Sequence, residues 1–369
     1  MPLTQVDQGL LGQYAQYTGF KNRIINGAMV IDQRNNGASV TYPGSGSVGT
    51  ELYVIDRWAG NSTGSTRFSM QRSTTAPAGF TNSLLITTTT AGTPGASDFC
   101  YFVQGIEGFN TADLGFGTAN AQTVTISFWI RSSLTGSFGG SISNSAANRR
   151  YPFSFAISAA NTWEYKTITI PGDTTGTWLT DNGRGITLVF NLGTGSTNEG
   201  PANAWATTGI APTGSVDLVA TAGATLNITG VQLEKGSTAT SFDYRPYGTE
   251  LMLCQRYYYR RNYDQSTVDV VAVFAAYSSG GAWGKIIDLP VEMRATPTGS
   301  LSSIGHFRPT NSTGSAQAAF SAGSLAGQGT SKSQLTTAGW SGSSGLSAGN
   351  ATAVVNNTTS AWIDASAEL

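Results

Sequence analysis

Glu164, Asp173 and Asp181 lie close together in sequence. Any two facing each other across a cleft would supply the acid and base, or acid and nucleophile, of glycoside hydrolysis. Carboxylates in strand-rich chains more often sit at turns or in ion pairs, and nothing in this spacing singles out a catalytic pair. The chain has one histidine, His306, which removes paired-histidine metal sites and leaves a Ser-His-Asp triad possible in principle only. Glycines fall in turn contexts and form no phosphate-cradling loop ahead of a helix. No metal and no cofactor is expected.

Aromatic side chains offer more. In TVTISFWIRSS the apolar residues Val124, Ile126, Phe128 and Ile130 alternate with Thr125, Ser127, Trp129 and Arg131. Trp129 therefore stands on the polar face of its strand. There an indole can stack on the apolar face of a sugar ring while neighbouring polar groups hydrogen-bond its hydroxyls, or it can pack on a neighbouring subunit. Trp163 and Tyr165 share one face of another candidate strand, and Trp178 lies in a turn-rich segment. Trp283, His306, Phe307 and Trp340 fall in or beside loop-like stretches, where binding groups concentrate. The candidate glycan-contacting set is Trp129, Arg131, Trp163, Tyr165, Trp283, His306 and Trp340.

The elements that must position these groups are strands. GITLVFNLG puts Ile186, Leu188, Phe190 and Leu192 on one face. ATLNITGVQL shifts phase at Gly230, as at a β-bulge. Further strands are expected at Tyr53 to Trp58, Arg67 to Arg72, Ser83 to Thr87, Tyr101 to Gln104, Tyr151 to Ile157 and Trp163 to Ile170. Clusters such as PGDTTGT supply the turns between them. The fold class read from this pattern is all-β: two β-sandwich domains of jelly-roll type, preceded by a short N-terminal docking segment.

Residues 1–19 form that segment. Leu3, Val6, Leu10, Tyr14 and Tyr17 recur at helical spacing, while Gly9 and Gly12 each weaken a helix by about 1 kcal/mol. Either it docks on other proteins or bundles with its copies, or it lies as an extended arm across the first domain. Residues 20–247 make the first sandwich and 248–369 the second. Phe242, Tyr244 and Tyr247 flank Pro246 at the boundary, so the linker reads as packed, with a short helix expected from Glu250 to Tyr259. In the second domain VDVVAVFAAY, GKIIDLPVEM, SLSSIGHF and TSAWIDASAEL read as strands. The Ser/Gly/Ala/Thr tract from Thr310 to Asn350 reads as loops and edge strands, or as a small-residue layer along a threefold axis.

Composition sets the outer bounds. Charged residues are 11% of 369, against about 25% in an average soluble protein, and glycine numbers 46. A hydrophobic fraction of 39% and aromatic fraction of 10% are enough to fill a core, which argues against disorder. A net charge of −1 supplies no field for a phosphate backbone, so no nucleic-acid partner is expected. No stretch has the ~20 apolar residues of a bilayer-spanning helix, and none resembles a signal peptide. Cys100 and Cys254 match no metal or redox spacing and read as buried thiols of a chain folded in a reducing cytoplasm.

Two phrases, FKNRIINGAMVIDQRN (Phe20 to Asn35) and VQLEKGSTATSFDYRPYGTELMLCQRYY (Val231 to Tyr258), resemble bacteriophage tail-fibre and receptor-binding proteins of phages that infect cyanobacteria and marine bacteria. SFWIRSS and TWEYKTITIPGD are similar to segments of the carbohydrate-binding jelly rolls attached to glycan-degrading enzymes. The resemblance implies a non-enzymatic virion protein, made in the host cytoplasm and carried on the tail or capsid surface. It further implies a homotrimer, docking on other virion proteins through the N-terminal segment, with the C-terminal domain (248–369) presented to host cell-surface polysaccharide as the receptor-binding part. It transfers no catalytic residues. The competing expectations are a capsid or baseplate decoration protein without a ligand, and a glycan depolymerase.

Overall fold

The computed structural model describes residues 20–42, 51–65, 67–263, 269–310, 315–325, 330–336 and 338–369. Leu3, Val6, Leu10, Tyr14 and Tyr17, expected to dock, lie outside the described residues. The chain is all-β and divides into two units, Met1–Pro246 with Leu369, and Tyr247–Glu368.

The first unit is a two-layer sandwich. Its strands are β1 (Val40–Thr41), β2 (Leu52–Ile55), β3 (Trp58–Ser62), β4 (Arg67–Ser73), β5 (Ser83–Thr90), β6 (Phe99–Glu107) and β7 (Val124–Ser132). There follow β8 (Gly136–Ser143), β9 (Arg150–Ile157), β10 (Glu164–Ile170), β11 (Arg184–Thr194), the short β12 (Glu199–Gly200) and β13 (Ala211–Pro212), and β14 (Thr225–Lys235). One antiparallel sheet runs β1-β4-β5-β14-β7-β10 and the other β2-β3-β6-β11-β8-β9.

The alternation in β7 decides which side of the first sheet is core. Val124, Ile126, Phe128 and Ile130 are buried, and Phe128 packs edge-on against Phe190 of the opposite sheet at 5.1 Å between ring centres. Phe190 in turn stacks on Phe102 at 4.9 Å. Each such buried side chain contributes roughly 1.5–3 kcal/mol relative to exposure. The same parity sends Trp129 outward.

Strand β14 carries the expected bulge. Its register against β7 shifts between Thr229 and Gln232, and Gly230 has φ +62°. A Cβ at Gly230 would also sit 2.6 Å from Phe80 Cζ. The bulge returns both Ile228 and Val231 to the core.

The two phrases that carry the fibre resemblance are joined in space. Arg23 N–H donates to Leu233 O at 2.9 Å and Val231 N–H to Gly27 O at 3.0 Å. The Asn22 side chain donates to Val231 O at 3.1 Å and accepts from Leu233 N–H at 3.1 Å and Ile24 N–H at 2.9 Å. Arg245 binds the carbonyls of Ile24 and Asn22. Residues 22–27 thus act as an irregular extra edge to β14.

One expectation in this unit needs correction, and one strand is added. Tyr53 to Trp58 is not one strand: Asp56 and Arg57 form a tight turn between β2 and β3, with Arg57 at φ +70°. Strand β8 is an addition, formed by the Gly/Ser-rich GSFGGSIS, and Gly140 there leaves room for no Cβ beside the Val189 carbonyl.

The second unit opens with helix α1 (Tyr247–Gln255) and holds β15 (Tyr258–Tyr263), β16 (Val270–Ser278), β17 (Gly281–Trp283), β18 (Lys285–Asp288), β19 (Thr298–Leu301) and β20 (Phe307–Pro309). It continues with β21 (Ala322–Ser324), β22 (Gln334–Thr336), β23 (Ala338–Ser341), β24 (Ala351–Asn356) and β25 (Ala361–Ser366). Six strands form the sheet β20-β24-β16-β17-β23-β21, beside the three-stranded β15-β25-β19 and the pair β18-β22. Phe274, Met293, Phe307, Phe320, Leu335, Trp340, Val354 and Ile363 build its core. SLSSIGHF is broken by a 3-10 turn at Ile304–His306, and β18 ends before the PVEM of its expected strand.

Candidate functional site

The outward face of the first sheet carries a groove of about 450 Å³. Its floor is Ser127 and Trp129 of β7, Tyr165 of β10 and the bulge glycine Gly230. Trp129 and Tyr165 are directly paired across the two strands, with ring centres 5.4 Å apart and planes tilted by 46°. Tyr165 is 43% exposed. Beyond the bulge, the same face of β14 is covered by residues 236–244, which make one wall. That strap is pinned by Glu234, which accepts from Thr240 N–H at 2.9 Å and Thr240 Oγ1 at 2.6 Å, and by Gln232, whose Oε1 accepts Asp243 N–H at 2.8 Å. Ala78 and Phe80 make the other wall.

Three further rings close the groove. Phe80, Phe242 and Tyr244 lie 4.8 to 5.4 Å apart pairwise. Tyr244 is 59% exposed, and its hydroxyl donates to Gly79 O at 2.8 Å, which fixes strap to loop. Partial desolvation of the ring pushes the Tyr244 phenol above its usual range. The site is an aromatic trough with hydroxyls at Ser127, Thr240 and Ser241, and among the described residues no ionised side chain lines it. Such a lining suits a neutral, hydroxyl-rich ligand with an apolar face.

Of the sequence candidates, Trp129 and Tyr165 meet here. Trp163 and Arg131 do not line the groove. Arg131 donates from Nε to Asn161 O at 2.9 Å and from Nη1 to Asn227 Oδ1 at 3.5 Å, which ties β7 to the neighbouring turn. His306 pairs through Nδ1 with Ser302 Oγ at 2.8 Å. The side chain of Trp283 lies outside the described residues. Trp340 requires a correction. It is 0% exposed, its Nε1 donates to Ser324 O at 3.1 Å, and Phe274, Phe307 and Phe320 surround it. It is a core residue that no ligand reaches in this state. Phe80, Phe242 and Tyr244 join the groove without being among the sequence candidates. The aromatic density of SFDYRPY is a signal for the last two, but one that linker packing explains equally.

The three suspect carboxylates are all occupied structurally. Glu164 accepts from Ser158 N–H, Ala159 N–H and Lys166 Nζ at 2.8, 2.9 and 2.6 Å, and these bonds, Lys166 foremost, hold it below the usual carboxylate range. Asp181 Oδ1 accepts Gly183 N–H at 2.8 Å. Asp173 takes a two-pronged bond from Arg149 at 2.7 and 2.8 Å. Burial alone would raise its carboxyl, but Arg149 and Thr175 outweigh that and hold it below its ordinary 3.8. Asp217 is shifted upward, by burial first, yet it accepts Thr194 N–H at 3.0 Å and does not line this groove.

The Asp173 pair yields a pH prediction. A carboxyl depressed in the folded state contributes stability that is complete above the ordinary value and lost as pH falls through the folded value, because the unfolded chain binds the proton first. Thermal unfolding of Asp173→Asn should therefore lie below that of the parent at about pH 6, with the gap narrowing as pH falls below about 3.8. A gap that stays constant with pH would contradict this.

No protein-family profile and no curated relative matches the chain. Some solved structures are similar to part of it. The enzymatically active domain of bacteriophage CBA120 tailspike protein 4 is 12% identical, with a TM-score of 0.30, over 58% of this chain and 21% of that one. The chain thus spans about a fifth of that domain's length. A family 11 carbohydrate-binding module from Clostridium thermocellum, in complex with a mixed-linked tetrasaccharide, is 15% identical, with a TM-score of 0.28, over 51% of this chain and 96% of that one. The CBM22-1 xylan-binding domain of Paenibacillus barcinonensis Xyn10C is 10% identical, with a TM-score of 0.26, over 56% and 99%.

Proposed function

We propose that this protein is a non-enzymatic glycan adhesin, a short fibre on the tail or capsid surface of a phage, which grips host surface polysaccharide through the Trp129–Tyr165 groove. The observation that carries the reading is the aromatic trough itself: two partly exposed rings, directly paired on the outer face of a rigid sheet and walled by a hydrogen-bonded strap. Two tilted planes suit successive sugar units whose faces are rotated relative to each other. A lining of aromatic rings, hydroxyls and backbone favours binding over bond cleavage, since general acid–base work needs a titratable group within hydrogen-bond reach.

The N-terminal segment docks the fibre on other virion proteins, and three copies assemble about a common axis. The fibre-like phrases support this, as do Val270 and Val273, which stand 56% and 64% exposed on β16 of a single chain. Three shallow sites on one axis raise avidity by roughly 10² or more when geometry allows simultaneous contact. Pure protein incubated with capsular or cell-wall polysaccharide of a susceptible host should retard it in affinity electrophoresis and release no new reducing ends. It should sediment as a trimer at micromolar concentration. Accumulating reducing ends would identify a depolymerase instead, and a monomer would remove the avidity argument.

A further inference from the structure

The opposite face of the sandwich holds a second, smaller pocket of about 260 Å³, and its chemistry differs from that of the groove. Two arginines line it. Arg184 is neutralised by a two-pronged bond to Glu51 at 2.8 and 2.7 Å. Arg150 has no carboxylate partner among the described residues. Its Nε donates to Ala147 O at 3.1 Å, and its backbone exchanges hydrogen bonds with Ala206 at 2.8 Å, so the base of the side chain is fixed. The two terminal nitrogens remain for a ligand.

Arg150 is also partly buried, and burial pulls its guanidinium below the usual range. A desolvated, unpaired cation is unfavourable until an anion meets it. Beside it, Phe99 and Tyr101 are stacked with ring centres 5.2 Å apart and planes within 21°, forming a flat apolar wall. The pocket is smaller than the roughly 300–1,000 Å³ of drug-sized sites, which suits one ring rather than a chain.

We propose that this pocket is a second saccharide site, selective for a sugar residue bearing an anionic oxygen substituent, a carboxylate or a sulfate ester, held by the guanidinium fork of Arg150 with its ring against Phe99 and Tyr101. A planar fork matches either anion with two parallel hydrogen bonds. The inference is independent of the neutral groove on the first sheet.

Calorimetric titration of the full chain with trigalacturonate, sulfated galactotriose and neutral galactotriose tests it. At least one anionic trisaccharide should bind about tenfold or more tighter than the neutral one, and whichever binds better identifies the substituent. Arg150→Gln should lose that preference about tenfold, with an unchanged melting temperature. Arg150→Lys, which keeps the charge but not the fork, should lose roughly three- to tenfold and guards against a folding defect in the first variant. Trp129→Ala should leave anion binding intact, which separates this site from the groove. Equal affinity for charged and neutral trisaccharides, or undiminished anion binding in Arg150→Gln, would overturn the proposal. So would loss of anion binding in Trp129→Ala.

Discussion

Trp129→Ala should weaken binding of host polysaccharide by about 30-fold or more, while the melting temperature moves little. Tryptophans at the centre of a binding surface commonly cost about 2 kcal/mol or more when truncated, and 2 kcal/mol is roughly a 30-fold change in affinity. Trp129 sits in the middle of the trough, flanked by Tyr165 on one strand and the Gly230 bulge on the other. Because the indole projects from the outer face, its removal opens no cavity in the core beneath. Tyr165→Ala should follow with a smaller loss, and Trp163→Ala, which does not line the groove, should bind as the parent does. Isothermal titration or affinity electrophoresis of the three variants reads this directly. Full affinity in Trp129→Ala would rule the groove out as the binding site.

The largest expected effect on stability comes from Asn22→Ala. That buried side chain makes three hydrogen bonds, and two of them join the start of the first unit to β14. Truncation leaves the N–H groups of Ile24 and Leu233 without their acceptor. Each buried unsatisfied group costs about 1–3 kcal/mol, so a loss of roughly 3–4 kcal/mol is expected. For a unit of this size 1 kcal/mol shifts the melting temperature by about 2–4 °C, giving a fall on the order of 10 °C. Thr90→Ala, on the exposed end of β5, should stay within about 0.5 kcal/mol. Differential scanning calorimetry distinguishes the two, and equal melting temperatures would mean that the seam between residues 22–27 and β14 is not structural.

Whether a feature can be read from the sequence depends on whether local pattern or distant packing sets it. The strict alternation of TVTISFWIRSS places Phe128 in the core and Trp129 outside because parity along a strand is a local property. The phase break at Gly230 is visible for the same reason. Strand β8 is not visible, since its small residues are dictated by the Val189 carbonyl and Pro212, far away in sequence. Trp340 misleads because its neighbours in sequence are Gly, Ser and Ala, while the rings that bury it come from Phe274, Phe307 and Phe320. The groove is half legible. Its floor follows from alternation in β7 and β10, but its walls come from segments around Phe80 and Phe242, and only the folded sheet order β5-β14-β7-β10 brings those together.

The most direct test of adhesion at this trough is the crystal structure of the protein soaked with an oligosaccharide cut from the host polysaccharide that it retains. An uncleaved chain should appear, with sugar rings lying on Trp129 and Tyr165, between Phe80 and the strap at residues 239–244. A saccharide seated elsewhere with the trough empty, or a cleaved product in the crystal, would contradict adhesion at this site.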